Sequence, residues 1–241
     1  DLSGFVSSIF MRGIKIVHIP TTLLSCVDSS IGGKTGIDFL GYKNILGSFY
    51  QPCKIIISTN FFATLPLKEI KCGIGEILKT ALLSQNVFDY VNSSFSKLLM
   101  LDSETVLNTI KLCVQFKDHI TSSDEKEASL RKILNLGHTI GHALESMDKF
   151  RLSHGEYVLC GIELETKMSR KLAIIEEDYY KVIMHLLGIA LTPKVKIKSI
   201  DKLINIMKAD KKNSDGKIDF IFAKNQGETQ EYLIDSAELK S

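Results

Sequence analysis

The chain has 241 residues, enough to bury one large core or two smaller ones. It is 44% hydrophobic and 24% charged, with 30 basic and 28 acidic residues and a net charge of +2, so it lacks the concentrated basic excess of a general nucleic-acid binder. No apolar run reaches the ~20 residues that span a bilayer, and Asp1-Leu2-Ser3-Gly4 has no signal-peptide character. Five scattered cysteines, none in Cys-x-x-Cys, read as buried thiols of a reducing cytoplasm. With Asp rather than Met at position 1, the chain is expected to continue a longer protein.

In chain order, Leu2, Phe5, Val6, Ile9 and Phe10 follow a helical pattern, with Asp1 placed as an N-cap. Ile14–Ile19 reads as a strand stopped by Pro20, Thr21–Asp28 as a short helix, and Lys54–Ser58 as a second strand. Ser29–Gly47, with its glycines and polar residues, reads as a functional loop. After Pro66 the periodicity becomes helical: Leu67–Ser84, Val87–Leu99, Glu104–Thr121, Glu127–Met147, Gly155–Leu172, Glu177–Leu187 and Ser199–Met207. Lys217–Ala223 and Thr229–Ile234 read as a terminal hairpin around Asn225-Gln226-Gly227. The expected organisation is an α/β part over 1–59 and a mainly α-helical part over 60–241.

Ser30-Ile31-Gly32-Gly33-Lys34-Thr35 looks at first like a phosphate loop, but the Walker spacing needs a glycine where Asp28 stands. An acid there repels a triphosphate, which excludes a nucleoside triphosphatase. A Gly-Gly-Lys turn can still present N–H groups and an ammonium to a smaller anion, although the segment taken alone reads better as a plain surface turn. Glu76 and Lys79 share a helical face among Ile74, Ile77, Leu78 and Ala81, and a carboxylate in such surroundings needs a partner. His138 and His142 lie four apart beside Gly137 and Gly141, and His154 follows a polar break. Spacing alone favours His138 and His142 as a metal-ligand pair. Glu76, His138 and His154 offer a His2Glu set with His142 as a fourth candidate, and such a set is typical of catalytic zinc with one open position. Lys117, Arg131 and Lys211 are cations that individually read as solvated surface, and Glu125 and Glu127 as an acidic cap on the next helix.

Taken together these stretches resemble the dehydroquinate synthase family, from Asp1 to about Phe222. The resemblance is carried by Met11-Arg12-Gly13, Pro20-Thr21-Thr22-Leu23-Leu24, Val27-Asp28-Ser29-Ser30-Ile31-Gly32-Gly33-Lys34-Thr35-Gly36, Lys43-Asn44 and Phe49-Tyr50-Gln51-Pro52. It continues through Thr64-Leu65-Pro66, Gly75-Glu76-Ile77-Leu78-Lys79, Asn135-x-Gly137-His138-Thr139-x-Gly141-His142-Ala143, His154-Gly155-Glu156 and Asp210-Lys211-Lys212. It implies an enzyme that makes dehydroquinate from a seven-carbon keto acid phosphate (DAHP) with NAD and a divalent metal, zinc or cobalt, as a cytoplasmic homodimer. It also implies that residues 1–59 are the remnant of a Rossmann-like nucleotide-binding domain.

By resemblance, Glu76, His138 and His154 are the metal ligands, and His142 is a proton-handling residue outside that set. Glu127 has a proton-transfer role, and Lys79 and Lys34 also stand at the reacting groups. Arg12, Asp28, Asn44, Lys79, Lys117, Arg131, Asn135 and Lys211 bind substrate, with Arg12 reaching into the partner subunit's phosphate site. Asp1, Thr21, Thr22, Lys34, Lys43 and Phe61-Phe62-Ala63-Thr64 match cofactor contacts. The family's glycine-rich pyrophosphate turn would precede Asp1, so this chain alone is expected to bind zinc but to bind NAD poorly and turn over little. Another sugar-phosphate cyclase, and a catalytically silent metal-binding fragment, are the competing readings.

Overall fold

The computed structural model describes residues 1–39, 42–149, 151–190, 193–209, 217–235 and 238–240; the side chains at 42, 43 and 240 lie outside that description. The chain forms two compact units, each discontinuous in sequence. The first comprises Asp1–Gly73 and Ser94–Arg131, the second Ile74–Ser93 and Lys132–Ser241.

The first unit opens with α1 (Leu2–Ile9). Asp1 holds the N-cap position, as expected, and its carbonyl accepts the Phe5 N–H at 2.9 Å, but its side chain makes no capping bond. Strand β1 (Val17–His18) pairs in parallel with β4 (Lys54–Ile55). Both are shorter than the apolar runs that contain them, because among the described residues each has only the other as a ladder partner. Between them, Ser25–Ser29 is a π-helical turn whose start is fixed by Thr22 and Ser25, which hydrogen-bond each other's backbone N–H and hydroxyl groups.

The segment expected as a loop is instead largely a hairpin, β2 (Lys34–Phe39) and β3 (Tyr42–Phe49), with Lys34 opposite Phe49 and Gly36 opposite Gly47. Glycines that read as loop signals are here paired directly across two strands, where the backbones approach closely. Thr35 Oγ1 donates to Ser48 O at 3.1 Å, and Ser8 of α1 meets the Ser48 hydroxyl at 2.8 Å.

The change to helices falls at Pro66. Helix α2 (Leu67–Leu83) is followed by α3 (Gln85–Leu99) and α4 (Ser103–Ser123). Helix α4 starts where the Asp102 carboxylate accepts the Thr105 N–H at 3.0 Å. The expected helix over 127–147 breaks in two. Leu130–Asn135 is a 3-10 turn, and α5 begins only at His138 and runs to Met147. Two left-handed residues account for the break, Glu127 (φ 60) and Gly137 (φ 77). Glu125 and Glu127 do not cap this segment; Asp124 does, accepting the N–H groups of Ala128, Ser129 and Arg131 at 2.8–3.0 Å.

The second unit contains α5, α6 (His154–Lys171), α7 (Glu177–Ile189), α8 (Ile200–Lys208) and the hairpin β5 (Lys217–Asn225) and β6 (Glu228–Asp235). Its core packs Ile140 and Leu144 of α5 against Tyr157 and Cys160 of α6, Leu203 and Met207 of α8, and Phe220 and Phe222 of β5. Alternation along β5 sends Ile218, Phe220 and Phe222 inward. Thr139 of α5 donates its hydroxyl to Asp219 O at 3.0 Å, tying the helix to the hairpin. With this apolar side anchored, the other face of α5 is left to polar residues. No helix among the described residues is long and apolar enough to cross a membrane.

Candidate metal centre

Three helical segments of the second unit supply one cluster. Glu76 and Lys79 stand on α2, His138, His142 and Glu145 on α5, and His154 at the first position of α6. On α5 the three polar residues recur at i, i+4 and i+7, opposite the core stripe of Ile140, Ala143 and Leu144. Glu76 is fully buried, with Oε1 3.5 Å from His138 Nε2 and 3.4 Å from His154 Nε2. Its Oε2 lies 2.5 Å from Lys79 Nζ. The rings of His138 and His142 are 5.0 Å apart, and those of His142 and His154 are 5.5 Å apart.

Electrostatics suit this set to a cation. Burial opposes ionisation of Glu76, but the Lys79 ammonium and His154 outweigh it and hold the carboxyl below the usual range. Burial, followed by the charge of Lys79, pushes the His138 pKa well below its ordinary value, so the imidazole is neutral. His138 Nδ1 lies 3.1 Å from Leu136 O, and donation there leaves the Nε2 lone pair directed at Glu76. Glu145, itself buried, lies 3.5 Å from His154 Nδ1, on the side of that ring away from Glu76 Oε1, which is 3.4 Å from its Nε2. Donor atoms ~2.0–2.2 Å from a tetrahedral zinc stand about 3.3–3.6 Å from one another. The Glu76–His138 and Glu76–His154 separations of 3.5 and 3.4 Å match that spacing. Donor type, burial and separation therefore fit a divalent metal. Nitrogen atoms of His138, His142 and His154 also lie within 4.8 Å of one another, which keeps His142 close to the same point.

The placement of His154 depends on the start of α6. Glu156 accepts the Ser153 N–H and hydroxyl, both at 2.8 Å, closing the helix end. Glu156→Ala is expected to cost about 1 kcal/mol, lowering the melting temperature by ~2–4 °C. A thermal melt of the variant checks this.

The first unit gathers a second cluster. Lys34 pairs with Glu127. Lys117 Nζ lies 2.7 Å from Asp28 Oδ1 and 2.6 Å from Asp28 O. Arg131, 2% exposed, donates to Glu125 O at 2.6 Å and Gly32 O at 2.9 Å. Lys117 and Arg131 are thus buried and tethered rather than solvated surface. Asn44 is left-handed (φ 51), its N–H bonded to Asp38 Oδ1 at 2.8 Å. Arg12 is exposed in a left-handed turn (φ 65). Thr22 is engaged with Ser25, and Phe61-Phe62-Ala63-Thr64 form a 3-10 turn with Phe62 buried. Asn135 of the second unit is partly buried, two residues before Gly137. The Lys43 side chain and Lys211 lie outside the described residues.

Sequence reasoning missed Glu145 and Glu165. Glu145 carries a signal, seven residues after His138 on the same face. Glu165, which binds the start of α5, continues the His154 face three turns along α6.

The fold is that of solved sugar-phosphate cyclases. It matches 2-epi-5-epi-valiolone synthase from Streptomyces hygroscopicus, solved with NAD+ and Zn2+, at TM-score 0.90 and 24% identity over 99% of this chain and 68% of that one. It also matches 2-deoxy-scyllo-inosose synthase complexed with carbaglucose-6-phosphate, NAD+ and Co2+, at TM-score 0.87 and 23% identity over the same shares. In sequence, the 3-dehydroquinate synthase N-terminal family matches residues 1–72 and the C-terminal family residues 73–213. The 3-dehydroquinate synthase of Alkaliphilus metalliredigens is 41% identical over 99% of this chain and 68% of its own length. That of Ruminiclostridium cellulolyticum is 39% identical over 99% and 67%. The chain belongs to the 3-dehydroquinate synthase family.

Proposed function

We propose that the chain serves the 3-dehydroquinate synthase reaction, in which DAHP is converted to 3-dehydroquinate with loss of phosphate, as a step of the shikimate pathway. The observation that carries this reading is the convergence of Glu76 Oε1 on the Nε2 atoms of His138 and His154, in a chain of this family. Glu76, His138 and His154 are the proposed ligands of zinc, or of cobalt in its place, and NAD the proposed redox cofactor. When bound, the metal acidifies a substrate hydroxyl, and NAD takes up and returns a hydride.

The chain's own residues supply position and charge. Lys79 keeps Glu76 ionised and presents donors beside the ligand set. His142, next to that set, is the proposed carrier of a substrate proton. In the first unit, Lys34, Lys117 and Arg131 are proposed to take up anionic groups, with Glu127 handling a proton from its pairing with Lys34. Asp28, Asn44, Asn135 and Lys211 are proposed substrate contacts. Asp1, Thr21, Thr22, Lys43 and Phe61-Phe62-Ala63-Thr64 are proposed to touch the nucleotide, with residues 1–59 as part of its domain. A homodimer in which Arg12 reaches the partner, and a cytoplasmic location, complete the proposal.

Calorimetric titration with DAHP tests this. The zinc-loaded chain is expected to bind saturably, and a chelator to abolish the binding. A seven-carbon sugar phosphate without the carboxylate is expected to bind at least tenfold more weakly, since a charge-assisted hydrogen bond contributes roughly 1.5–3 kcal/mol. Equal affinity for both ligands would favour another sugar-phosphate cyclase. Equal binding with and without zinc would remove the metal from the reading.

A further inference from the structure

The stripe of α6 that begins at His154 passes Val158 and Gly161 and reaches Glu165, at helical steps of four, three and four. Glu165 is 1% exposed. A carboxylate that deep is costly unless its oxygens are bonded. Oε2 accepts the Gly137 N–H at 2.6 Å, and Oε1 accepts the Ile140 N–H at 3.2 Å. His138 lies between those two residues in sequence. The N–H groups at the start of a helix have no partner within it, and the residue in the N-cap place here is Gly137, which has no side chain to offer. The bond therefore comes from the neighbouring helix, and a negative charge at a helix N-terminus is favourable in itself. A Cβ on Gly137 would lie 2.4 Å from Ile162 Cγ1 and 2.8 Å from Val158 O, so α6 also closes on this turn sterically.

We propose that Glu165 is a positioning residue for His138. It holds the left-handed turn at Gly137 and the first turn of α5, which keeps His138 Nε2 aimed at the donor set with Glu76 and His154. This rests on the metal-site reading above. Glu165 is not among the ligands; it acts through the backbone that carries one of them.

Glu165→Gln tests this in the full chain, because it preserves size while setting an amide NH2 against one of the two backbone N–H groups. Zinc affinity by chelator competition, the d–d absorption of the cobalt-loaded protein and the melt of the metal-free protein are read together. E165Q is expected to bind zinc about 10–100-fold more weakly and to change the cobalt spectrum. Glu165→Asp, shorter by one methylene, is expected to fall between E165Q and wild type, and it decides the question if E165Q does not fold. Ser169→Ala is the control. Ser169, one turn further along α6, is buried and donates to Ala223 O at 3.3 Å, away from α5. S169A is expected to lower the melt while leaving zinc affinity and cobalt spectrum unchanged. Wild-type zinc affinity and spectrum in the Glu165 variants would overturn the proposal, as would an equal loss in S169A. A wild-type chain that takes up no zinc would instead overturn the metal-site reading, and this inference with it.

Discussion

His154→Ala is expected to abolish tight zinc binding and to lower zinc-dependent turnover by about 10³-fold or more. The change removes one of three proposed ligands and leaves Glu145 facing a cavity rather than an imidazole. A metal acting on a substrate oxygen contributes several kcal/mol, and about 4 kcal/mol corresponds to 10³ in rate. His142→Ala should behave differently. Zinc should remain bound while turnover falls about 10²–10⁴-fold, the range for loss of a general acid or base. Metal content by atomic absorption and rates under saturating substrate, measured on both variants, separate the two roles. Zinc lost from the His142 variant and kept in the His154 variant would reverse the assignment.

Gly161→Ala should be the most damaging small substitution in the second unit. A Cβ at this position would stand 1.9 Å from Gly137 O and 2.8 Å from Gly141 N, both backbone atoms. No rotamer change relieves such a contact, so α5 and α6 must separate. Overpacking of this kind costs about 3 kcal/mol, a fall of ~6–12 °C in melting temperature for a domain of this size. The shift would also pull His138 away from Glu76, so zinc affinity should fall with stability. Gly188→Ala is the contrast, since a Cβ there meets nothing within 4 Å at a position inside α7. It should raise stability by about 0.4–1 kcal/mol. Thermal melts of both variants, with zinc titrations on the first, check the pair.

The helices were legible where one face is plainly apolar. Ile74, Ile77, Leu78 and Ala81 announce the part of α2 that carries Glu76, and all four are buried. The helix read over Gly155–Leu172 is α6, which the fold starts and ends one residue earlier. The break before α5 was not legible, because a glycine inside a helical pattern reads as a cost of only about 1 kcal/mol. What makes Gly137 left-handed is the close passage of α6, which follows it in the chain. Hairpin β2–β3 was hidden for a related reason, as its glycines serve close pairing across strands rather than looping. The ligand candidates could be named from residue type and order, but spacing alone favoured His142 over His154 as the partner of His138. Glu76 lies 62 positions before His138, as 138 − 76 shows, and only the folded chain sets its Oε1 against both imidazoles. Lys34 and Glu127 are likewise 93 residues apart, a pairing no local pattern encodes.

Anomalous diffraction at the zinc edge, from crystals of the zinc-loaded chain, tests the central claim most directly. The expected result is one strong peak ~2.0–2.2 Å from Glu76 Oε1, His138 Nε2 and His154 Nε2, with His142 nearby but beyond bonding distance. A peak bonded to His142 in place of His154 or Glu76 would contradict the account.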